Sequence, residues 1–349
     1  MKKRVFYLDF IRALSALFII VFHFNCSIGG HEIYKSVSNI PIIFYEYKNG
    51  NLGQIGVSLF FIISGGLMLS NQCNFNIREY LKKRFLAIFP MFYFAYFCVT
   101  FYYFLHYRSL NPFCVPRNKL SFLITIVGMD GYVSPIIPNY YIIGEWFLGC
   151  IILFYILFPL LRTLLLKLGP WISMLCIFLI YVATVHLYPF ASYPKEYFVL
   201  IRIVEFFFGM LAVTYIKEIR KWQLCISGIS IAILSVYYLP IIQSYKTTIM
   251  GMSLYVVWVY AGQHIPERFQ KLFLDISKYS YPAYLLHHVI IEQICSLFEG
   301  IELSLLDTYF LLITCIVVII IFTVLFVKLY GIIKTYCFKI CEVQTEIRN

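Results

Sequence analysis

Ten stretches of this chain are long and apolar enough to cross a lipid bilayer: roughly 6–28, 55–72, 85–106, 141–161, 170–189, 197–216, 223–240, 246–262, 279–298 and 305–328. A helical span needs about 20 mostly apolar residues, because the hydrocarbon core is about 30 Å thick and each residue rises 1.5 Å. With no water there to pair with backbone groups, such stretches must satisfy their own hydrogen bonds as helices. Composition agrees. The chain is 61% hydrophobic and 13% charged, whereas soluble domains carry roughly 45–50% apolar and about 25% charged residues. The expected fold is all-α, a polytopic transmembrane helical bundle of about ten spans. It forms a single domain over residues 1–349, with no appended soluble domain. Residues 119–137 are also apolar, but Gly128, Asp130, Gly131, Pro135 and the adjoining Pro138 interrupt them. A re-entrant or surface segment is expected there.

Basic residues set the orientation. With the N-terminus inside, nineteen of the 28 Lys and Arg residues fall on inner segments and seven on outer ones, while Arg12 and Arg202 lie within spans. An excess of this size on one side marks the cytoplasmic face, so both termini are expected to be cytoplasmic. The net charge of +11 then reads as basic loops beside lipid headgroups, not as a nucleic-acid surface. Met1–Arg4 before an apolar stretch has the outline of a signal peptide. Asp9 and Arg12 inside the stretch, and the lack of a small-residue cleavage site, make it the first retained span instead. Two longer outer loops, 29–54 and 107–140, are expected to form a lid or a recognition surface, or plain variable connections. The eleven cysteines are scattered, without CxxC or zinc-ligand spacing, so neither a disulfide framework nor a metal site is expected.

Ionisable groups at membrane depth are costly and point to function. The first span holds Asp9, Arg12 and His23. Arg12 and His23 are eleven residues apart, which is three helical turns, so they share a face roughly 16 Å apart along the axis. Asp9 precedes Arg12 by three and can pair with it. The alternatives are an Arg12 that snorkels to the inner headgroups and a His23 satisfied by an interhelical hydrogen bond. Arg202 and Glu205, also three apart, suit a structural ion pair. His287 and His288 point about 100° apart on a helix, so at most one is expected to face a given cavity.

The opening "YLDFIRALSALFIIVFHF" (7–24) resembles the start of the acyltransferase-3 family of bacterial membrane O-acyltransferases, which open on Leu-Asp-x-x-Arg with a His at the spacing of Arg12 to His23. Five further segments resemble that family in order: "GVSLFFIISGGLMLS" (56–70), "KKRFLAIFPMFY" (82–93), "GEWFLGCIILFYILFPLL" (144–161), "RIVEFFFGM" (202–210) and "ISKYSYPAYLLHHVII" (276–291). One departure is Ala87, where the family often has a second Arg three residues after Arg84. The resemblance implies a multi-pass protein of the bacterial inner membrane. It also implies an acyl-CoA donor, acetyl-CoA being the expected one, arriving from the cytoplasm. The implied acceptor is a sugar hydroxyl on a cell-surface polysaccharide or lipid-linked glycan.

Within that expectation His23 is the catalytic base, since imidazole accepts a proton near neutral pH. His287 matches the family's later His and is the second catalytic candidate. Glu145, just inside the outer face, orients His23 or binds the acceptor. Trp146, Tyr281 and Tyr284 are candidate donors to the oxyanion, or packing residues. Arg12 and Arg84 are the donor-site cations, with Lys83 beside them, suited to the phosphates of coenzyme A; positive-inside anchoring alone also explains Lys82 and Lys83. The rival reading is a non-enzymatic glycan or lipid transporter or flippase. It would share the polar-lined bundle and the basic inner loops.

Overall fold

The computed structural model describes residues 5–30, 44–70, 75–108, 118–190, 192–216 and 218–348. Lys2, Lys3, Arg4, Lys35, Arg117 and Lys217, used above for orientation, and parts of both outer loops lie outside the described residues. The described chain is almost entirely helical: α1 (Phe6–Gly30), α2 (Leu52–Ser70), α3 (Ile77–Tyr107), α4 (Phe122–Ile126), α5 (Asp130–Val133), α6 (Trp146–His186), α7 (Ile203–Tyr215), α8 (Lys221–Val236), α9 (Gln243–Gln263), α10 (Glu267–Ser296) and α11 (Leu305–Arg348). Five of these, α1, α2, α3, α6 and α11, are long and apolar enough to cross a membrane. Phe97, Phe101 and Leu105 on α3 and Phe310, Ile313, Val317 and Ile320 on α11 are exposed. Such continuous apolar surface is expected where lipid is the solvent.

Several boundaries have visible causes. Asn76 caps α3 by accepting from the backbone N–H groups of Arg78 and Glu79, which satisfies donors that a helix start leaves unpaired. The 41 residues of α6 contain Gly169 at φ 74°, followed by Pro170. The Ser173 hydroxyl donates to Leu164 O at 3.1 Å, although nine residues of straight helix would separate them by about 13 Å. α6 therefore turns back at Gly169–Pro170, as two helical limbs matching the expected spans 141–161 and 170–189.

The expected span 197–216 is different. It begins as two 3₁₀ turns, and α7 covers only 13 residues, about 20 Å of helix. The Arg202 side chain reaches back to donate to Glu196 O at 2.9 Å and holds the preceding chain in turns. Over 119–137 only a 3₁₀ turn and the short α4 and α5 form, as the interrupting glycines and prolines imply.

Three features position the site. α2 and α7 touch backbone to backbone: a methyl group at Gly65 would run into Phe206 O, and one at Gly209 into Ile62 O. α1 packs against α2 and α10. A small hairpin, β1 (Glu46–Tyr47) and β2 (Gly50–Asn51), was not expected from the sequence. Its turn residue Asn49 donates to Leu234 O and Tyr237 O, each at 2.6 Å, and accepts from Leu239 N at 3.0 Å. That clasp ties the hairpin to the C-terminal end of α8.

Candidate active site

Arg12 lies one turn above Asp9 on α1. Its Nη1 donates to Asp9 Oδ1 and to Ser277 Oγ of α10, both at 3.1 Å, and the Ser277 hydroxyl donates to Asp9 at 2.6 Å. Arg84 of α3 lies against the rings of Tyr80 and Tyr155, 5.5 Å from each centroid, a cation–π arrangement. Both guanidinium groups border one cavity of about 280 Å³, with Ser64, Tyr155, Tyr281 and Tyr284 among its walls. Ala87 also borders it, so the position that departs from the family pattern faces the same space. Lys83 is exposed and is not among the residues bordering the cavity.

Near the other end of α1, His23 stands beside two rings of α10. Its centroid is 5.0 Å from that of His287 and 5.2 Å from that of His288. Of the two, only His287 borders a cavity, as their angular separation implies, while His23 meets the seam between them. His287 is buried, and its Nδ1 lies 2.8 Å from Tyr284 O and 3.2 Å from Ala283 O. Carbonyl oxygens only accept, so Nδ1 carries the hydrogen and Nε2 the lone pair. That Nε2 is buried without a hydrogen-bond partner among the described residues. Glu145 sits at the N-terminal cap of α6, after Gly144 at φ 85°. Its carboxylate is 4.0 Å from His288 Nε2, with the Tyr141 side chain beside it.

The two ends adjoin. A narrow void of about 10 Å³ is lined by Ala16, Ile19, Ile20, Ala283 and His287, and it shares Phe60, Ser280 and Tyr284 with the larger cavity. Arg12, Ala16, Ile19 or Ile20, and His23 recur at helical spacing, so one face of α1 runs from the cations to the imidazoles.

The remaining candidates fall elsewhere or are engaged. Arg202 and Glu205 form a buried pair at 3.2 Å; Glu205 also accepts from Thr248, and Arg202 packs 5.7 Å from the Trp146 ring. Trp146 stacks on Tyr197 at 4.5 Å and is not a cavity wall. Arg202, Glu205, Trp146 and Tyr197 brace α6 against the start of α7. The Tyr281 hydroxyl donates to Ile88 O and that of Tyr284 to Glu145 O. Sequence reasoning missed Ser277 and Tyr155, and it set His288 aside. Only the pairing of α1 with α10, and of α3 with α6, makes them visible.

A family model described as an acyltransferase domain, acyltransferase-3, matches residues 5–327. No curated protein and no solved structure matches the chain at comparable stringency. The match takes in every residue of both the cation cavity and the histidine cluster, and by it the chain belongs to the acyltransferase-3 family of membrane acyltransferases.

Proposed function

We propose that this acyltransferase moves an acyl group, acetyl, from cytoplasmic acyl-CoA to a sugar hydroxyl of a cell-surface polysaccharide or lipid-linked glycan. In this reading the chain crosses the bacterial inner membrane ten times, with both termini in the cytoplasm. The observation that carries it is the adjacency of two chemistries along one face of α1. A guanidinium-lined cavity borders a narrow apolar void that ends at His287, next to His23. Arg12 and Arg84 are suited to the phosphates of the donor, because guanidinium forks pair with phosphate oxygens. The cavity of about 280 Å³ sits at the small end of ligand sites, roughly 300–1,000 Å³. It suits the pantetheine arm, with the nucleotide outside.

The chemistry follows from the ends. The acceptor hydroxyl oxygen attacks the thioester carbonyl carbon; the new C–O bond forms as the C–S bond breaks. His23 takes the hydroxyl proton, and the thiolate leaves and is protonated. His287, with its lone pair on Nε2, is the neighbouring base. Glu145 acts on His23 through His288 or meets the acceptor sugar.

Mass spectrometry of surface glycans from cells with and without the gene tests this. Loss of a single acyl mass from a glycan is the expected result. Unchanged acylation with altered glycan export would favour the transporter instead.

A further inference from the structure

His23, Glu145 and His288 come from α1, the cap of α6 and α10. Each offers one donor atom, and the three atoms lie within 4.8 Å of one another. Two imidazoles and one carboxylate, with a position left open, are a donor set that zinc takes in tetrahedral sites. Imidazole donors select zinc and its neighbours over magnesium or calcium. Donor atoms around tetrahedral zinc stand about 3.3 Å apart, given bonds of about 2.0–2.1 Å. The His288–Glu145 pair starts at 4.0 Å. Their side chains are 43% and 18% exposed, so rotation about side-chain bonds can close the gap without moving a helix. His287 is not part of the set, since only the donor atoms of His23, Glu145 and His288 lie within 4.8 Å of one another.

We infer that His23, Glu145 and His288 form a divalent transition-metal site, fitted to Zn²⁺, whose occupancy shuts the enzyme off. A neutral imidazole has one basic lone pair. When the His23 lone pair is on the metal, it cannot accept the hydroxyl proton. The metal also stands where the acceptor would approach. The inhibitory consequence rests on the reading of His23 as the base in acyl transfer; metal binding itself does not.

The test uses tag-free, full-length protein in detergent micelles. Titration with Co²⁺ is followed by the visible absorption of the four-coordinate ion, and Zn²⁺ then displaces it. The expected result is one ion per chain. Its affinity should fall at least about tenfold in Glu145→Gln and again in His288→Ala, as expected when groups that hold or orient a metal are lost. No four-coordinate spectrum, or equal affinity in both variants and wild type, overturns the site. In a reconstituted acylation assay, Zn²⁺ should inhibit wild type, and His288→Ala should need at least about tenfold more Zn²⁺ for the same fractional inhibition. Stimulation by Zn²⁺, or inhibition unchanged in His288→Ala, overturns the shut-off role. If wild type acylates nothing, the functional reading fails while the Co²⁺ titration still decides the site.

Discussion

Arg12 and His287 border two adjoining voids that have Phe60, Ser280 and Tyr284 as common walls. One is a fixed cation and the other an imidazole with its lone pair turned away from its own helix. A thioester arm held at the first residue would end near the second.

His23→Asn keeps hydrogen-bonding capacity but has no base near neutral pH. Acylation per unit of membrane protein should fall by about 10²–10⁴, with insertion and abundance unchanged. Near-wild-type turnover in this variant would transfer the role of base to Nε2 of His287.

Arg12→Ala and Arg84→Ala should each raise the KM for acyl-CoA roughly tenfold to a hundredfold, the scale of one lost charge-assisted hydrogen bond. Arg12→Lys should recover only part of this. Arg12 Nη1 serves both Asp9 and Ser277, and an ammonium is a point charge without the planar fork of guanidinium donors. Lys83→Ala should change little, given its exposure outside the cavity. Initial rates against donor concentration separate the four variants.

Gly65→Ala should weaken the bundle itself. The added methyl meets Phe206 O, a backbone atom that cannot rotate aside, so about 1–3 kcal/mol or more of destabilisation follows. Thermal unfolding in detergent reads it directly. An unshifted melt would mean that α2 and α7 part easily, contrary to their close contact.

Asp130, in the segment between α3 and α6, is buried, and desolvation pushes its carboxyl up to about 7. An unfolded Asp titrates near 3.9. Between those values the folded chain keeps a proton that the unfolded chain has released, so stability falls as pH rises from about 4 to about 7 and is level above. Asp130→Asn cannot ionise. Its stabilisation over wild type should be absent at pH 4 and full at pH 8, with an upper bound of about 4 kcal/mol at roughly 1.4 kcal/mol per pH unit. Paired melts at the two pH values check the sign.

Topology can be tested by cysteine labelling at Asn51 and at the C-terminus. From the nineteen inner and seven outer basic residues, Asn51 should react with an impermeant reagent from outside and the C-terminus should not. A C-terminus labelled from outside would exclude the even span number.

Much of the frame is legible in the sequence because lipid imposes a length. All ten apolar stretches become helix over most of their length, with 141–161 and 170–189 as the limbs of α6 and 197–216 α-helical only from Ile203. The start of α7 was not legible, because the backbone there follows a side-chain bond from Arg202 to Glu196 O. The Arg12–His23 relation was legible, since both lie on one helix and its pitch fixes their spacing. His288, Ser277 and Tyr155 depend on contacts between elements far apart in the chain. No periodicity within one helix announces such a contact. Lys83 shows the converse: its neighbours Lys82 and Arg84 drew attention to it, but consecutive residues on a helix face different ways.

The clasp at Asn49 also gives this molecule a clock. Asn49 is followed by Gly50, and an asparagine before glycine is the pair most open to slow deamidation, because the next backbone nitrogen is unhindered. Both hydrogens of the Asn49 amide are spent on Leu234 O and Tyr237 O, which holds the side chain away from that attack while the hairpin stays docked. Once deamidation occurs, a carboxylate with no hydrogen to give faces two carbonyl oxygens, and the clasp becomes a repulsion. Ageing would then loosen the hairpin from α8 at residue 49, adding one dalton in mass and one negative charge.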